Sequence, residues 1–144
     1  MSKSLKIAAL ALVLAGPLQA QDLQAQELAQ ITTGEWHLLA IDGKPNRFPA
    51  SFTIDSDGKV AGQAACNRYF GQNSETLPAL SLPDLGATRR LCKDMAEEDA
   101  LFATLSVVHH AEIQQNHLLL QGPEGRVAEF TRAGETQFCL TCAQ

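Results

Sequence analysis

The sequence predicts an α+β chain, mainly β: a small antiparallel sheet with one packed α-helix at about residues 94–107. Short apolar runs alternate with turn signals such as Asp42-Gly43, Asp55-Ser56-Asp57-Gly58 and Pro123-Glu124-Gly125, the pattern of strands joined by tight reversals rather than by crossover helices. Within the runs, apolar residues recur at every second position. One stretch departs from this, with Met95, Leu101, Phe102 and Leu105 recurring at helical spacing.

The first twenty residues predict a secretory signal peptide. Lys3 and Lys6 precede an apolar run from Ile7 to Leu14, followed by Gly16-Pro17 and the small residue Ala20. The run is shorter than the roughly 20 residues a span requires, so no membrane span is expected and cleavage is placed after Ala20. A lipoprotein signal would carry a cysteine after Leu14-Ala15-Gly16. Position 17 is proline, so no lipid anchor is expected. The predicted address is the periplasm, an address compatible with outer-membrane association. Residues 21–30, rich in Gln, read as a frayed leader, 31–132 as one domain and 133–144 as a tail.

Within the domain, Glu35 to Ile41 reads as the first strand, with Trp36, Leu38 and Ala40 on one face. Pro45 and Pro49 keep the next stretch irregular. Phe52 and Ile54 share a face of the second strand, and Gly58 ends a hairpin turn. The return strand is expected from Lys59 to about Tyr69, with Val60, Gly62, Ala64 and Cys66 on one face beneath something bulky. Pro78 and Pro83 place the segment from Leu77 to Leu82 at an edge, and a short strand follows around Gly86 to Leu91. In the helix, Asp94 is the expected N-cap, with Glu97 completing a capping box. Glu97, Glu98 and Asp99 are read as its solvated face. Strands are then expected at Ala111–Gln115, Leu118–Gln121 and Arg126–Thr131, with a turn at Asn116-His117 and the last two strands forming a hairpin.

A net charge of −5 gives no basic stripe of the kind that nucleic acid demands, and none is expected as a partner. Four cysteines in an exported chain read as a disulfide framework. Of the three pairings, Cys66–Cys92 with Cys139–Cys142 is expected, because only Leu140-Thr141 separates the tail pair. The longer bridge is worth roughly 3 kcal/mol. Cys139-x-x-Cys142 has the spacing of a thiol-disulfide oxidoreductase but lacks the following helix that stabilises a thiolate. A zinc site drawing on His37, His109, His110 or His117 has no second closely spaced ligand pair. Ser51, Ser56, Ser74, Ser81 and Ser106 sit in no nucleophile elbow. No catalytic residue, metal or cofactor is expected. Arg89-Arg90 read as protection of a sheet edge.

Trp36 and Leu38, Gly58 and Gly62, Cys66-Asn67-x-Tyr69-x-Gly71, Thr88 four residues before Cys92, an acidic helix and Leu118-Leu119-Leu120 together resemble the META domain, the family that includes HslJ-type bacterial heat-shock proteins. The chain departs from the family pattern at Ala65, usually glycine, and at Arg90-Leu91, usually Met-Ala. The resemblance implies a partly open antiparallel β-barrel with a packed helix and a non-enzymatic, stress-linked envelope factor associated with heat and novobiocin tolerance. It also implies structural roles for Trp36, Gly62, Cys66, Asn67, Tyr69, Gly71, Thr88 and Cys92. Asn67 would bond local backbone, Tyr69 fill a barrel end and Gly71 permit an unusual turn. The expected partner is another envelope protein. The competing readings are a carrier of a small apolar ligand within the barrel and a redox protein acting through the tail cysteines.

Overall fold

The computed structural model describes residues 17–135 and 138–142. The predicted signal segment up to residue 16 lies outside the described residues. In chain order the elements are α1 (Pro17–Ile31), β1 (Trp36–Ile41), β2 (Lys44–Pro45), β3 (Ser51–Ile54), β4 (Lys59–Gln63), β5 (Arg68–Gln72), β6 (Gly86–Ala87), α2 (Met95–Leu105), β7 (His110–Gln114), β8 (His117–Gln121) and β9 (Val127–Thr131). All nine strands belong to one antiparallel sheet in the order β6-β5-β4-β3-β1-β9-β8-β7, with β2 paired to β1. The fold is α+β, mainly β, and the sheet does not close on itself.

β1 lies at the centre because its alternation is complete: Trp36, Leu38 and Ala40 are buried and the residues between them are half-exposed. Trp36 lies opposite Phe52 of β3, Leu38 opposite Phe130 of β9, and the rings of Phe52 and Phe130 pack at 5.6 Å. α2 lays Leu101 and Leu105, both fully buried, over this core. Such large apolar groups each contribute about 1.5–3 kcal/mol when removed from water. Lys44 and Pro45, expected to be irregular, form the short strand β2, with Pro at a sheet edge.

The predicted return strand from Lys59 to Tyr69 is two strands. The chain reverses between Ala64 and Asn67, where the Ala64 amide donates to the Asn67 carbonyl at 2.7 Å, and β5 runs back along β4. No glycine or proline marks this reversal; a contact from α2, described below, holds it. Gly62 then lies opposite Tyr69, and Tyr69 is the bulky group over the small face. Its hydroxyl donates to the Ser51 carbonyl at 2.6 Å, and its ring meets Phe102 edge-on at 5.6 Å. Burial, and secondarily the charge of Glu35, push its phenol well above the usual range, so it remains a donor. Gly71 makes no unusual turn. It lies inside β5, where a side chain would meet Leu85 Cδ2 at 2.7 Å.

Both flanks of the outer strand β7 are occupied. The Ala111 amide donates to the Pro78 carbonyl, the Leu80 amide donates to the His109 carbonyl, and Ala79 bridges His110. Two residues on, the Ile113 amide donates to Glu27 Oε1 of α1 at 2.9 Å. Edge amides of β7 are thereby satisfied, which removes a template for aggregation. Residues 21–30 are therefore not a frayed leader. They are helical and docked by Glu27, half-buried Leu28 and the fully buried Ile31, whose carbonyl accepts from Trp36 Nε1 at 3.1 Å. At the other end of the hairpin, Gln115 and Asn116 take positive φ and form the turn, while His117 already belongs to β8.

Gly62→Ala tests this packing. Its Cβ would lie 2.1 Å from the Ser51 carbonyl oxygen and 2.4 Å from the Tyr69 ring, and backbone cannot yield that far. Urea unfolding should show a loss of about 2 kcal/mol or more. Unchanged stability would contradict the register of β4 on β5.

Candidate functional site

The reversal between β4 and β5 is held by a carboxylate. Glu98, in the first turn of α2, is 2 % exposed, and its Oε2 accepts from the Cys66 and Asn67 amides at 2.9 and 2.7 Å. Its Oε1 accepts from Asn67 Nδ2 at 2.7 Å. Expected on the solvated face, Glu98 is the most deeply engaged acid of the helix; Glu97 and Asp99 are exposed. Burial pushes its carboxyl up, but the three donors, led by the Asn67 side chain, prevail and hold it below the usual carboxylate range. Asp94 occupies the N-cap position without a side-chain cap bond, so no capping box forms. The Glu98 amide instead donates to the Asp94 carbonyl at 3.4 Å.

Asn67 extends this knot to the segment before α2. Its Oδ1 accepts from the Thr88 hydroxyl at 2.8 Å and from the Arg90 amide at 2.7 Å, and its Nδ2 also donates to the Arg90 carbonyl at 3.1 Å. Thr88 Oγ1 in turn accepts the Arg68 amide. The Cys66–Cys92 disulfide ties the same two segments. Residues 88–93, which carry no regular structure, are thus fixed through the Arg90 main chain and the Thr88 and Cys92 side chains, while Arg89, Arg90, Leu91 and Lys93 are exposed: Leu91 is 94 % exposed, with Phe70 at 58 % nearby. Arg68, Arg89, Arg90 and Lys93 are exposed and make no ion pair among the described residues. Between this segment and α2 runs an open groove of about 590 Å³ lined in part by Phe70, Leu91, Met95 and Phe102. Arg89 and Arg90 line it as well and lie in no strand.

The tail repeats the device. Glu129 of β9 is fully buried on the sheet face opposite the core. Its Oε1 accepts from the Leu140 amide at 2.7 Å and contacts His117 Nδ1 at 2.7 Å. Its Oε2 accepts from the Thr141 amide and hydroxyl at 2.8 and 2.7 Å. Burial raises its carboxyl, and these donors, the Thr141 hydroxyl foremost, bring it below the usual range. Cys139 and Cys142 are bonded to each other, with Cys139 Sγ 3.4 Å from Glu129 Oε2. An ionised carboxylate so close repels a thiolate on Cys139, so the surroundings oppose disulfide exchange as much as the missing helix does. Sequence reasoning passed over Glu98, Glu129 and this role of His117. The available signals were Glu98 standing three residues before Leu101 and seven before Leu105, and the uninterrupted Leu118-Leu119-Leu120, which implies cover on both faces of β8.

Trp36 supports neither knot directly; it belongs to the core, with the Arg132 guanidinium 3.5 Å above its ring. The remaining motif residues, Gly62, Tyr69 and Gly71, are packing positions. The Ser51 hydroxyl accepts the Gln63 amide. His37 lies at the surface, 3.7 Å from Glu35. No helix among the described residues is long and apolar enough to cross a membrane, and the two disulfides fit an oxidising, extracytoplasmic location.

Comparison with known proteins agrees with the fold. The sequence model of the META domain matches residues 29–135. An NMR structure of a protein from Burkholderia xenovorans is similar with a TM-score of 0.57 at 21% identity, covering 94% of this chain and 100% of that one. A second NMR structure has a TM-score of 0.57 at 18% identity, covering 72% of this chain and 92% of its own. At these identities the likeness is one of fold. No curated protein matches the chain.

The Glu98 knot predicts an acid-sensitive fold. The folded carboxylate binds its proton more weakly than the unfolded one, so its contribution is complete above about pH 4.3 and drains away as pH falls through the lower folded value. Glu98→Gln should cost on the order of 3 kcal/mol at neutral pH and flatten the acid limb, as read by urea unfolding across pH 2–7. A variant with the stability and acid limb of the parent would refute the role.

Proposed function

The chain belongs to the META domain family, and we propose that it serves in the periplasm as a non-enzymatic, stress-linked envelope factor that binds another envelope protein through the segment 88–93 and the adjoining Phe70. The observation that carries this reading is Leu91, a large apolar side chain 94 % exposed on a segment whose main chain is held by Asn67 and the Cys66–Cys92 bridge. Fixed loops on a rigid scaffold are where binding residues concentrate. Arginine is enriched among the residues that carry binding energy at interfaces, and the exposed Leu91 and Phe70 side chains beside Arg89 and Arg90 offer apolar area for a partner to bury. Four exposed cations in a chain of net charge −5 select an acidic partner surface by steering and by exclusion of basic ones.

No catalytic activity is known for the family, and the two buried carboxylates are occupied by the donors of the β4–β5 reversal, of the tail loop and of His117. The carrier reading loses ground to the core itself. Trp36, Phe52, Tyr69 and Phe130, each almost wholly buried, fill the space between sheet and helix, and the groove beside α2 lies open at the surface.

A photo-crosslinking residue at position 91, carried by the exported protein in living cells, tests the proposal. A discrete adduct is expected, stronger under heat stress, reduced roughly tenfold by R89E/R90E, and missing when the probe sits at the exposed hairpin residue Asp57 instead. Equal adducts from both positions, or indifference to the charge reversal, would overturn it.

A further inference from the structure

We propose that the outer face of β8 and β9, together with the C-terminal loop, becomes a metal site when the Cys139–Cys142 disulfide is reduced, with Cys139, Cys142, His117 and Glu129 ligating one divalent cation of the zinc class. The fold brings these groups together from three separate stretches of chain. His117 Nδ1 stands 2.7 Å from Glu129 Oε1, and Cys139 Sγ stands 3.4 Å from Glu129 Oε2. Two thiolates, an imidazole and a carboxylate are the donor types that tetrahedral zinc selects.

The tail sulfur also has a backbone donor beside it. The Cys142 amide donates to Cys139 Sγ at 3.0 Å, so a backbone donor that stabilises a sulfur anion is already in position, and the two Cα atoms lie 5.4 Å apart, within reach of a shared ion. Charge supplies the driving force. A bare thiolate beside buried, ionised Glu129 is repelled, and a divalent cation reverses the sign of that interaction for both sulfurs at once. On the same face the Thr131 hydroxyl is buried without a hydrogen-bond partner among the described residues. In that closed state no group of three or more His, Cys, Asp or Glu among the described residues is disposed to hold a metal.

The chemistry balances. The disulfide accepts two electrons and two protons from an external dithiol, which is itself oxidised to a disulfide. The cation then displaces both thiol protons into solvent as the two metal–sulfur bonds form. In an oxidising compartment the site stays shut, and it opens only where a reductant reaches the tail.

The test uses the full mature chain, with zinc alone as the probe and a phosphine in place of the dithiol so that the reductant does not compete for metal. Reduced protein should take up one zinc per chain at least a hundredfold more tightly than oxidised protein, as measured against a chromogenic chelator. Cobalt in its place should show thiolate charge-transfer and tetrahedral bands. C139S/C142S should abolish uptake although Cys66 and Cys92 are reduced alongside. H117Q, which keeps all four thiols, should weaken uptake tenfold or more. No uptake by reduced protein, uptake that survives C139S/C142S, or an affinity indifferent to H117Q would overturn the proposal.

Discussion

A single carboxylate, Glu98, decides how the two halves of this fold meet. Leaving an ionised carboxylate in a protein interior costs several kcal/mol unless donors replace its water. Here the amides of Cys66 and Asn67 and the Asn67 side chain replace it. The dependence is mutual, since those amides sit in a reversal that leaves them no strand partner, and a buried amide without an acceptor carries its own penalty. Helix and sheet therefore dock in one register or lose both sides of the arrangement. The Cys66–Cys92 bridge reinforces this junction from the other end, because Cys92 stands six residues before Glu98 on the approach to the same helix.

Glu129 applies the same physics with a different outcome. Its donors come from the tail loop rather than from the sheet, so it holds a cover over β8 and β9 instead of joining core elements. Loss of Glu98 would expose the seam between α2 and the sheet. Loss of the Glu129 contacts would uncover His117 and Leu119, which face away from the core, while leaving Phe130 and Leu120 packed beneath. The domain accordingly has an inner knot on which folding depends and an outer clasp that can open without dismantling the sheet. Such separation of local from global stability is what a chemically responsive tail requires.

What the sequence made legible was local. Two-residue alternation marked β1 and β3, Gly58 with its positive φ marked the hairpin, and helical spacing found α2 to within two residues at each end. The tail pairing followed from its short spacing. The reversal at residues 64–67 was invisible because nothing in Ala64-Ala65-Cys66-Asn67 enforces a turn; the acceptor that stabilises it lies some thirty residues away. α1 was missed for a related reason. A Gln-rich segment has little amphipathic character, and its order comes from Glu27 satisfying an edge amide of β7 and from Ile31 entering the core. Glu98 itself was readable in part, since it falls on the apolar stripe, but its place beside Glu97 and Asp99 gave it the look of a solvated charge.

The exposed segment 88–93 follows from these constraints rather than standing apart from them. A loop normally holds its shape by turning side chains inward, which removes them from any partner. Here Asn67 reaches across to bond both the amide and the carbonyl of Arg90, and the Thr88 hydroxyl bonds Asn67, so the main chain is ordered from outside. Arg89, Arg90 and Leu91 are freed from structural duty, and the entropy of fixing that backbone is spent in folding and not again on association. Surface chemistry in this segment can therefore change without disturbing the fold, whereas Asn67 and Glu98 cannot. That asymmetry divides the junction into an inner part fixed by hydrogen bonds, Asn67 and Glu98, and an outer part, Arg89 to Leu91, whose side chains face solvent.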